Sequence, residues 1–405
     1  MKIIHTSDWH LGQYFFTKNR AAEHKHFLQW IIEQIMQHQV DALIIAGDIF
    51  DTGSPPSYAR ELYNKFIVEL QPTGCQLVIL GGNHDSVAML NESKALLSYL
   101  NTMVIANAET AEIEQQIKVL NNKDSKPGAI LCAIPYLRPR DIMTSQAGQS
   151  GTQKQQALQE AITEHYHQLY QQACALREKM GEPLPIIATG HLTTVGASTT
   201  DSVRDIYIGT LDAFPVQAFP PADYIALGHI HRPQVVGKSE HIRYSGSPIP
   251  LSFDEVGQEK SVCLADFKAD KLDCITLLPI PCYQPMQIIR GDLKQIKEQL
   301  QAFKEYQGER PVWLDIEVAT QDYLPDIQQR IQILSEGLPV EVILLRRRKS
   351  TRQSSLAERN KETLTELSVN EVFERRLALA EIDDIEQKQR LTTLFKQTLD
   401  DISQQ

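Results

Sequence analysis

The feature that most constrains the fold is a short stretch in which a strand-like run ends in side chains able to bind metal. The run that ends at Leu80 predicts a buried parallel strand, and two glycines followed by Asn83, His84 and Asp85 come directly after it. A hydrophobic core does not require these polar residues, whereas active sites of open α/β sheets lie at this edge. Taken alone, a polar turn that caps the next helix explains the tripeptide better than a site does.

Four other predicted strands end in the same kind of chemistry, which favours a site over a turn. The side chains at these strand ends are Asp8 and His10, Asp48, His191, and His229 with His231. In an extended chain, residues two apart point to the same side. Asp8 and His10 therefore share a side, and so do His229 and His231. The sequence predicts an α/β fold with one polar site at its strand ends.

Two further histidine pairs are excluded from this site by their spacing on predicted helices. His165 and His167 lie in a predicted helix over residues 153–180, where positions two apart diverge by about 200°. His24 and His26 lie in a predicted helix over residues 20–38 and point to different faces. We expect both of the latter at the surface.

The candidate metal ligands are more numerous than one metal ion requires. They are Asp8, His10, Asp48, Asn83, His191, His229 and His231. Such a set suits two divalent ions about 3.5–4 Å apart that share a carboxylate bridge, an arrangement that clamps both oxygens of an in-line phosphoryl displacement. Oxygen and nitrogen ligands without thiolate favour manganese or iron, and magnesium less. His84 is then left to protonate the leaving oxygen or to stabilise charge, with Asp85 placed to orient it.

Composition narrows the class of protein. The length of 405 residues predicts two or three domains. The net charge of −11 argues against a chain coated in positive charge, although a local basic groove or bound cations still permit nucleic-acid binding. Six scattered cysteines without a CxxC pair indicate reduced, buried thiols. No apolar run approaches the ~20 residues of a membrane span, and no signal peptide is evident. We therefore expect a soluble cytoplasmic protein with no membrane association.

The C-terminal third has a different organisation. After a first domain over residues 1–278, alternating strands and helices predict a small α+β domain over residues 279–350. It ends in a basic run that is either a solvated linker or a contact to phosphate or a partner: Arg346, Arg347, Arg348 and Lys349. Residues 351–405 predict a helical tail whose apolar stripes need a partner surface, the stripe residues being Val372, Phe373, Leu377, Leu391, Phe395 and Leu399.

The ordered motifs resemble those of the calcineurin-like metallophosphoesterase family. They are Asp8-Trp9-His10, Gly47-Asp48-x-x-Asp51, Gly81-Gly82-Asn83-His84-Asp85, Gly190-His191 and Gly228-His229-x-His231. Within the family the whole chain is most similar to bacterial DNA nucleases. That resemblance implies a four-layer α/β/β/α core, a capping domain that contacts DNA, a tail that binds an SMC-like ATPase, and a homodimer within a heterotetramer. The dimer would form through helices near residues 56–70 and 87–100, although packing of these helices on the core explains their apolar residues as well.

The resemblance also implies roles for the site residues. One ion would be held by Asp8, His10, Asp48 and His231, and the other by Asp48, Asn83, His191 and His229, with His84 as the catalytic histidine. Asp51 stands where many relatives carry histidine, so it either backs a ligand or contacts DNA. Ser247 lies in a tight turn with the same two alternatives. Thr52 replaces the arginine with which phosphoprotein phosphatases of the family grip a monoester, which favours phosphodiesters.

The function expected from these observations is a manganese-dependent DNA nuclease. The resemblance implies an ATP-dependent double-strand 3′-5′ exonuclease and single-strand or hairpin endonuclease that acts on DNA ends in repair, replication and recombination, at the nucleoid. A phosphodiesterase or phosphatase acting on nucleotides or phosphoproteins is the second hypothesis. A metal-ordered DNA-end tether without catalysis is the third.

Overall fold

The computed structural model describes residues 1–108, 110–143, 150–200, 203, 213–319 and 326–347. The tail residues predicted to bind a partner lie outside this range, as do Arg348 and Lys349. No helix in the described ranges has both the length and the apolar character needed to cross a bilayer.

The elements alternate along most of the chain. The strands are β1 Lys2–Thr6, β2 Tyr14–Phe15, β3 Lys18–Asn19, β4 Ala42–Ile45, β5 Gln76–Leu80, β6 Thr102–Ile105, β7 Ile117–Asn121, β8 Pro127–Cys132, β9 Ile186–His191, β10 Tyr224–Gly228, β11 Gln234–Val236, β12 Ser239–Tyr244, β13 Ser261–Lys268, β14 Lys271–Pro279, β15 Met286–Gly291, β16 Val312–Val318 and β17 Val340–Arg347. The helices are α1 Ala21–His38, α2 Ser57–Leu70, α3 Val87–Glu92, α4 Lys94–Ser98, α5 Pro139–Ile142, α6 Gly151–Met180, α7 Leu293–Gln301 and α8 Ile327–Ser335.

Two six-stranded sheets form the core. The first has the order β14-β13-β1-β4-β5-β6, and the second has the order β11-β12-β10-β9-β8-β7. In the first sheet β1, β4, β5 and β6 are parallel, so their carboxyl ends meet at one edge. In the second sheet β8, β9, β10 and β12 are parallel in the same way. Each sheet therefore presents several strand ends side by side.

The two sheets pack face to face between helices. Their facing sides share one buried cluster that includes Ile44 and Val78 from the first sheet and Leu131 and Ile187 from the second. Helices α1 and α2 cover the outer face of the first sheet, and α6 covers the outer face of the second. Strands covered on both faces are apolar throughout, as in the fully buried β4. The predicted four-layer α/β/β/α core is confirmed.

A third, three-stranded sheet follows the core. It has the order β15-β16-β17, and α7 and α8 pack with it in one apolar cluster. The predicted βαβαβ order is confirmed, and because all three strands are parallel this region has α/β rather than α+β topology. Trp313 of β16 packs with Phe15 and Phe253 of the core region. The described residues form one compact unit, so the boundary near residue 279 stays a prediction.

Some local predictions were wrong. The helix expected over residues 87–100 is divided at Ser93 into α3 and α4. His24 is fully buried rather than exposed, because it lies on the face of α1 that packs on the sheet.

The cysteine prediction holds for part of the set. All six cysteines are free thiols, as expected. Cys75, Cys132 and Cys263 are buried, whereas Cys274 and Cys282 are exposed. Cys274 lies in β14, an edge strand of its sheet, and Cys282 lies just beyond the end of that strand.

Candidate metal centre

The predicted ligands come from the carboxyl ends of strands in both core sheets. Asp8 and His10 follow β1, Asp48 follows β4 and Asn83 follows β5. His191 is the last residue of β9, and His229 and His231 follow β10. The carboxylates and imidazoles of this set are buried, with exposures of 0–2%, and Asn83 is partly buried. The fold therefore brings together all seven side chains that the sequence suggested.

Four of these ligands have a backbone conformation that side-chain-bearing residues rarely adopt. The φ angles are 55° for Asp8, 46° for His10, 51° for Asp48 and 92° for His229. Such left-handed conformations cost free energy and persist where the surrounding structure imposes them, often at functional sites. Here a hydrogen bond joins the loop after β1 to the loop after β4, since the N–H of Asp8 donates to the carbonyl oxygen of Gly47 over 3.0 Å. The strain lies on the residues that would bind metal.

Asp48 lies at the centre of the arrangement. Its Oδ2 atom is 3.2 Å from Nε2 of His191 and 3.7 Å from Nε2 of His10. Burial alone would raise the pKa of Asp48, but His191 and His10 outweigh burial and hold this pKa well below its usual range. Asp48 is therefore an ionised carboxylate that faces one histidine of each predicted ion set.

A glycine allows this close approach. A Cβ on Gly82 would collide with both the carboxylate and the backbone nitrogen of Asp48. The turn after β5 therefore reaches the Asp48 loop only because position 82 has no side chain. This is the physical reason for a glycine before Asn83 and His84.

One group of side chains collects around Asp8. The ligand atoms of Asp8, His10 and His231 all lie within 4.8 Å of one another. Nδ1 of His10 lies 3.2 Å from Oδ1 of Asp51, and Nε2 of His10 is buried with no hydrogen-bond partner among the described residues. A buried nitrogen without a partner is costly unless it binds something, so it suits a metal ion.

A second group collects on the other side of Asp48. The ligand atoms of Asp48, His191 and His229 also lie within 4.8 Å of one another. The amide oxygen of Asn83 lies 2.9 Å from Nε2 of His191 and 3.2 Å from Nδ1 of His229. Nε2 of His229 is buried and unpaired among the described residues. These oxygen and nitrogen donors fit a divalent metal ion, and thiolate is absent from both described groups.

The protonation of His191 reflects its contact with Asp48. Burial lowers the pKa of His191, but the charge and hydrogen bond of Asp48 outweigh burial and raise it to about 9. Nδ1 of His191 donates to the carbonyl oxygen of Ala46 over 2.9 Å. Nε2 is therefore the nitrogen that faces Asp48 and Asn83, and a cation there would replace its proton.

His84 lies beside both groups. Its ring centroid is 4.7 Å from that of His10, and its ligand atom also lies within 4.8 Å of those of His10 and Asp48. The backbone N–H of His84 donates to Oδ1 of Asp48 over 2.9 Å. Its Nδ1 lies 2.7 Å from the carbonyl oxygen of Asp51, which only accepts, so Nδ1 carries a proton. Nε2 is then the nitrogen able to exchange a proton with a substrate.

The role expected for Asp85 needs correction. We expected its side chain to orient His84, but its carboxylate accepts the backbone N–H groups of Ile49, Phe50 and Gly82 at 2.9–3.1 Å. Burial and the nearby Asp48 charge raise the pKa of Asp85 to about 6, although the three hydrogen bonds act to lower it. Asp85 thus ties the Asp48 loop to the turn that carries His84, and it acts on His84 through the backbone.

The structure places Asp51, Ser247 and the basic run, each of which had two predicted roles, in different surroundings. The Asp51 carboxylate contacts His10 and is 26% exposed, which supports a role behind that ligand. Ser247 is fully buried and lies behind His231, where it cannot contact DNA. Arg346 pairs with Asp315 and with Glu317 at 2.6 and 2.7 Å, so it is neither part of a solvated linker nor, in this arrangement, a contact to phosphate. Arg347 is exposed at the end of β17.

Sequence reasoning missed a buried charged pair behind His231. Lys260 donates to Glu255 over 2.5 Å, and both side chains are at most 5% exposed. Glu255 also lies 3.5 Å from the ring of His231. Neither Glu255 nor Lys260 follows a predicted strand or belongs to one of the motifs, so the sequence did not identify them. The one available signal was that Glu255 comes shortly after the Gly246–Ser247 turn.

Comparisons with known proteins agree with this geometry. The sequence pattern described as calcineurin-like phosphoesterase matches residues 1–233, and that described as type 5 capsule protein repressor C-terminal domain matches residues 282–381. The chain is 60% identical over 399 residues to the D subunit of nuclease SbcCD from Escherichia coli, covering 98% of each chain. It is 34% identical over 276 residues to the protein of the same name from Rhodobacter capsulatus, covering 66% of each.

A more distant relative shows the same relationship. The chain is 27% identical over 328 residues to the D subunit of nuclease SbcCD from Bacillus subtilis, covering 80% of each chain. The match to the Escherichia coli protein spans nearly the full length of both proteins, so it includes the third sheet as well as the metal centre. The chain therefore belongs to the calcineurin-like phosphoesterase family and, within it, to the family formed by the D subunits of SbcCD nucleases.

Proposed function

We propose that this chain is the metal-dependent DNA nuclease subunit of an SbcCD-type complex, hydrolysing phosphodiester bonds. The observation that carries the proposal is the Oδ2 atom of Asp48, which lies between one histidine of each ligand group. A carboxylate in that position suits two cations that share it. The relatives whose names describe a nuclease cover the whole of the site.

Two divalent ions fit the ligand groups. The first would be held by Asp8, His10, Asp48 and His231, and the second by Asp48, Asn83, His191 and His229. Manganese suits this mixture of imidazole, amide and carboxylate best, with iron or magnesium as alternatives. When bound, the pair supplies Lewis-acid stabilisation to the attacking and leaving oxygens of an in-line displacement at phosphorus.

His84 is the proposed proton donor. Its Nδ1 is held by the Asp51 carbonyl oxygen, so the proton that moves is on Nε2. In the proposed reaction, the oxygen of a water molecule bonds to phosphorus and its proton passes to solvent, while the bond from phosphorus to the leaving nucleotide oxygen breaks. His84, acting as the imidazolium, gives its Nε2 proton to that leaving oxygen and regains a proton from solvent. General acid catalysis of this kind contributes about 10²–10⁴-fold. Asp85 supports the step indirectly by holding the turn that carries His84.

The proposed substrates are duplex DNA ends and hairpins, cut by ATP-dependent 3′-5′ exonuclease and by single-strand or hairpin endonuclease activity. Thr52 stands at the position of the arginine that grips a phosphomonoester in phosphatases of the family. The region from 279 to 350 would cap the site and contact DNA. We place the chain in the cytoplasm, with the DNA of the nucleoid, in repair, replication and recombination.

The proposed partners are an SMC-like ATPase of the SbcC type and a second copy of this chain. The tail over residues 351–405 would bind the ATPase. The homodimer would form through α2 and the α3–α4 segment, where Val68, Leu96 and Tyr99 are 60%, 65% and 88% exposed. Exposed apolar side chains on adjacent helices are typical of an interface. Two copies of each protein would make a heterotetramer.

The test compares two substrates under the same conditions. Purified chain is given linear double-stranded DNA or bis(p-nitrophenyl) phosphate, with Mn²⁺, Mg²⁺ or chelator, each with and without the ATPase partner and ATP. We expect nucleotide release from DNA that needs Mn²⁺ and increases with partner and ATP. Hydrolysis of the small diester without action on DNA would favour a nucleotide or small-molecule phosphodiesterase. DNA binding without cleavage, and independent of metal, would favour an end tether.

A further inference from the structure

A buried carboxylate outside the predicted ligand set faces one of the metal-site histidines. Oε1 of Glu255 lies 3.5 Å from Nδ1 of His231, and the two side chains are 0% and 3% exposed. Glu255 ends a short 3-10 helix, Phe253–Glu255, that follows the turn containing Ser247. Since a carboxylate attracts a proton to the nitrogen it faces, the contact favours a proton on Nδ1 of His231.

The backbone of the same histidine is also held. The carbonyl oxygen of His231 accepts hydrogen bonds from Nζ of Lys260 at 2.9 Å and from the backbone N–H of Ser247 at 3.1 Å. Lys260 donates in addition to Oε2 of Glu255 over 2.5 Å. Glu255 and Lys260 thus hold His231 at its ring and at its carbonyl group respectively.

Glu255 is well supplied with donors. Besides Lys260, its carboxylate accepts hydrogen bonds at 3.2–3.3 Å from the N–H of Leu251 and the hydroxyls of Thr200, Ser247 and Ser252. A buried charge with this many partners is fixed in place.

The two ligand groups differ in what lies behind their histidines. In the first group, His10 contacts the carboxylate of Asp51 and His231 contacts that of Glu255, in each case through Nδ1. In the second group, Nδ1 of His191 meets the neutral carbonyl oxygen of Ala46. Carboxylates behind metal-binding histidines fix the tautomer and raise the basicity of the ligating nitrogen.

We infer that Glu255 is a positioning residue for His231 that strengthens metal binding selectively at the first group. In this role it would hold the proton on Nδ1 of His231, so that Nε2 would be the nitrogen that binds an ion together with Asp8 and His10. This inference rests on the proposed two-ion site but not on DNA being the substrate. Glu255 is not among the candidate ligands and would act on the ion through His231.

The third sheet helps to place this glutamate. Phe253, two residues before Glu255, packs edge-to-face on Phe15 with ring centroids 5.0 Å apart. Phe15 in turn stacks on Trp313 of β16 at 5.6 Å. The 3-10 helix that carries Glu255 is therefore anchored by an aromatic cluster that includes a residue of the third sheet.

The experiment measures Mn²⁺ binding to the full chain by calorimetry, with electron paramagnetic resonance to distinguish single from paired ions. Glu255→Gln keeps the shape of the side chain and removes its charge. We expect one of the two ions to bind about 10–100-fold more weakly and the other to bind as in the wild type. Glu259→Gln is the matched control: it makes the same change at an exposed glutamate four residues along the chain, and both affinities should stay unchanged.

Two results would overturn the inference. One is wild-type affinity at both sites in Glu255→Gln, and the other is equal loss of both ions together with a lower melting temperature. If the single variant does not fold, Glu255→Gln with Lys260→Met removes both buried charges, and selective weakening of one ion is again expected. Failure of both variants to fold would assign Glu255 to the fold alone and also overturn it. Selective weakening in a chain that never cuts DNA would keep this inference and remove the nuclease proposal.

Discussion

The ring of His84 is held by the main chain of Asp51, with Nδ1 2.7 Å from the carbonyl oxygen. A carbonyl oxygen only accepts, so this contact fixes which nitrogen carries the permanent proton. The contact also uses the backbone rather than the carboxylate of Asp51, which is engaged with His10. One residue therefore serves two histidines through two different groups, and substitutions can separate these functions.

Replacing His84 should slow cleavage strongly while leaving both ions bound. In His84→Gln we expect the rate of DNA cleavage to fall about 10²–10⁴-fold, because the proton donor to the leaving oxygen is lost. The measurement is cleavage rate together with the number of Mn²⁺ ions bound per chain. An unchanged rate would remove His84 from the mechanism, and loss of an ion would make it a ligand instead.

Replacing Asp48 should remove both ions at once. Asp48→Asn keeps the volume but removes the charge that lies between His10 and His191. We expect metal content close to zero at an ion concentration that fills the wild type, since a neutral amide does not bridge two cations. Asp51→Asn is the matched control, because the Asp51 carboxylate lies in the same loop and contacts His10 of the first group, and this variant should keep the second ion. Retention of both ions in Asp48→Asn would contradict the bridging role.

Metal binding should strengthen as pH rises. The pKa of His191 is raised to about 9, so below that pH the ring carries a proton that a metal ion must displace. Between pH 6 and 8 we expect the apparent affinity of the second ion to increase by about tenfold per pH unit from this group alone. Calorimetric Mn²⁺ titrations at several pH values test this. A pH-independent affinity would show that no proton on His191 is displaced when the ion binds.

The metal ligands could be predicted from the sequence because the residues that identify each of them are neighbours in the chain. An apolar strand, a glycine and then a polar side chain are adjacent in the chain, and Asp8 with His10 or His229 with His231 share a side by simple alternation. The roles of Asp85 and Glu255 depend instead on backbone groups and side chains distant in sequence, so no spacing revealed them. The burial of His24 was predictable, since it lies three residues before Phe27 on the apolar face of α1.

The contact between Trp313 and the core should contribute measurably to stability. Trp313 is 7% exposed and packs with Phe15 and Phe253. We expect Trp313→Ala to lower the free energy of unfolding by about 3–5 kcal/mol, as for other large aromatic residues removed from a core. Ile333→Ala is the control, because the Ile333 side chain on α8 is 62% exposed. It should change the free energy of unfolding by less than about 0.5 kcal/mol. Equal effects in denaturant melts would show that the aromatic cluster does not join the third sheet to the core.

The central claim is that DNA cleavage depends on two ions bound around Asp48. The most direct measurement titrates Mn²⁺ into the metal-depleted chain with its ATPase partner and ATP, following bound ions and nucleotide release from linear duplex DNA in parallel. We predict almost no release with one ion per chain and full release as the second site fills. Release that persists in chelator, or its absence from chains shown to hold two ions, would contradict the account.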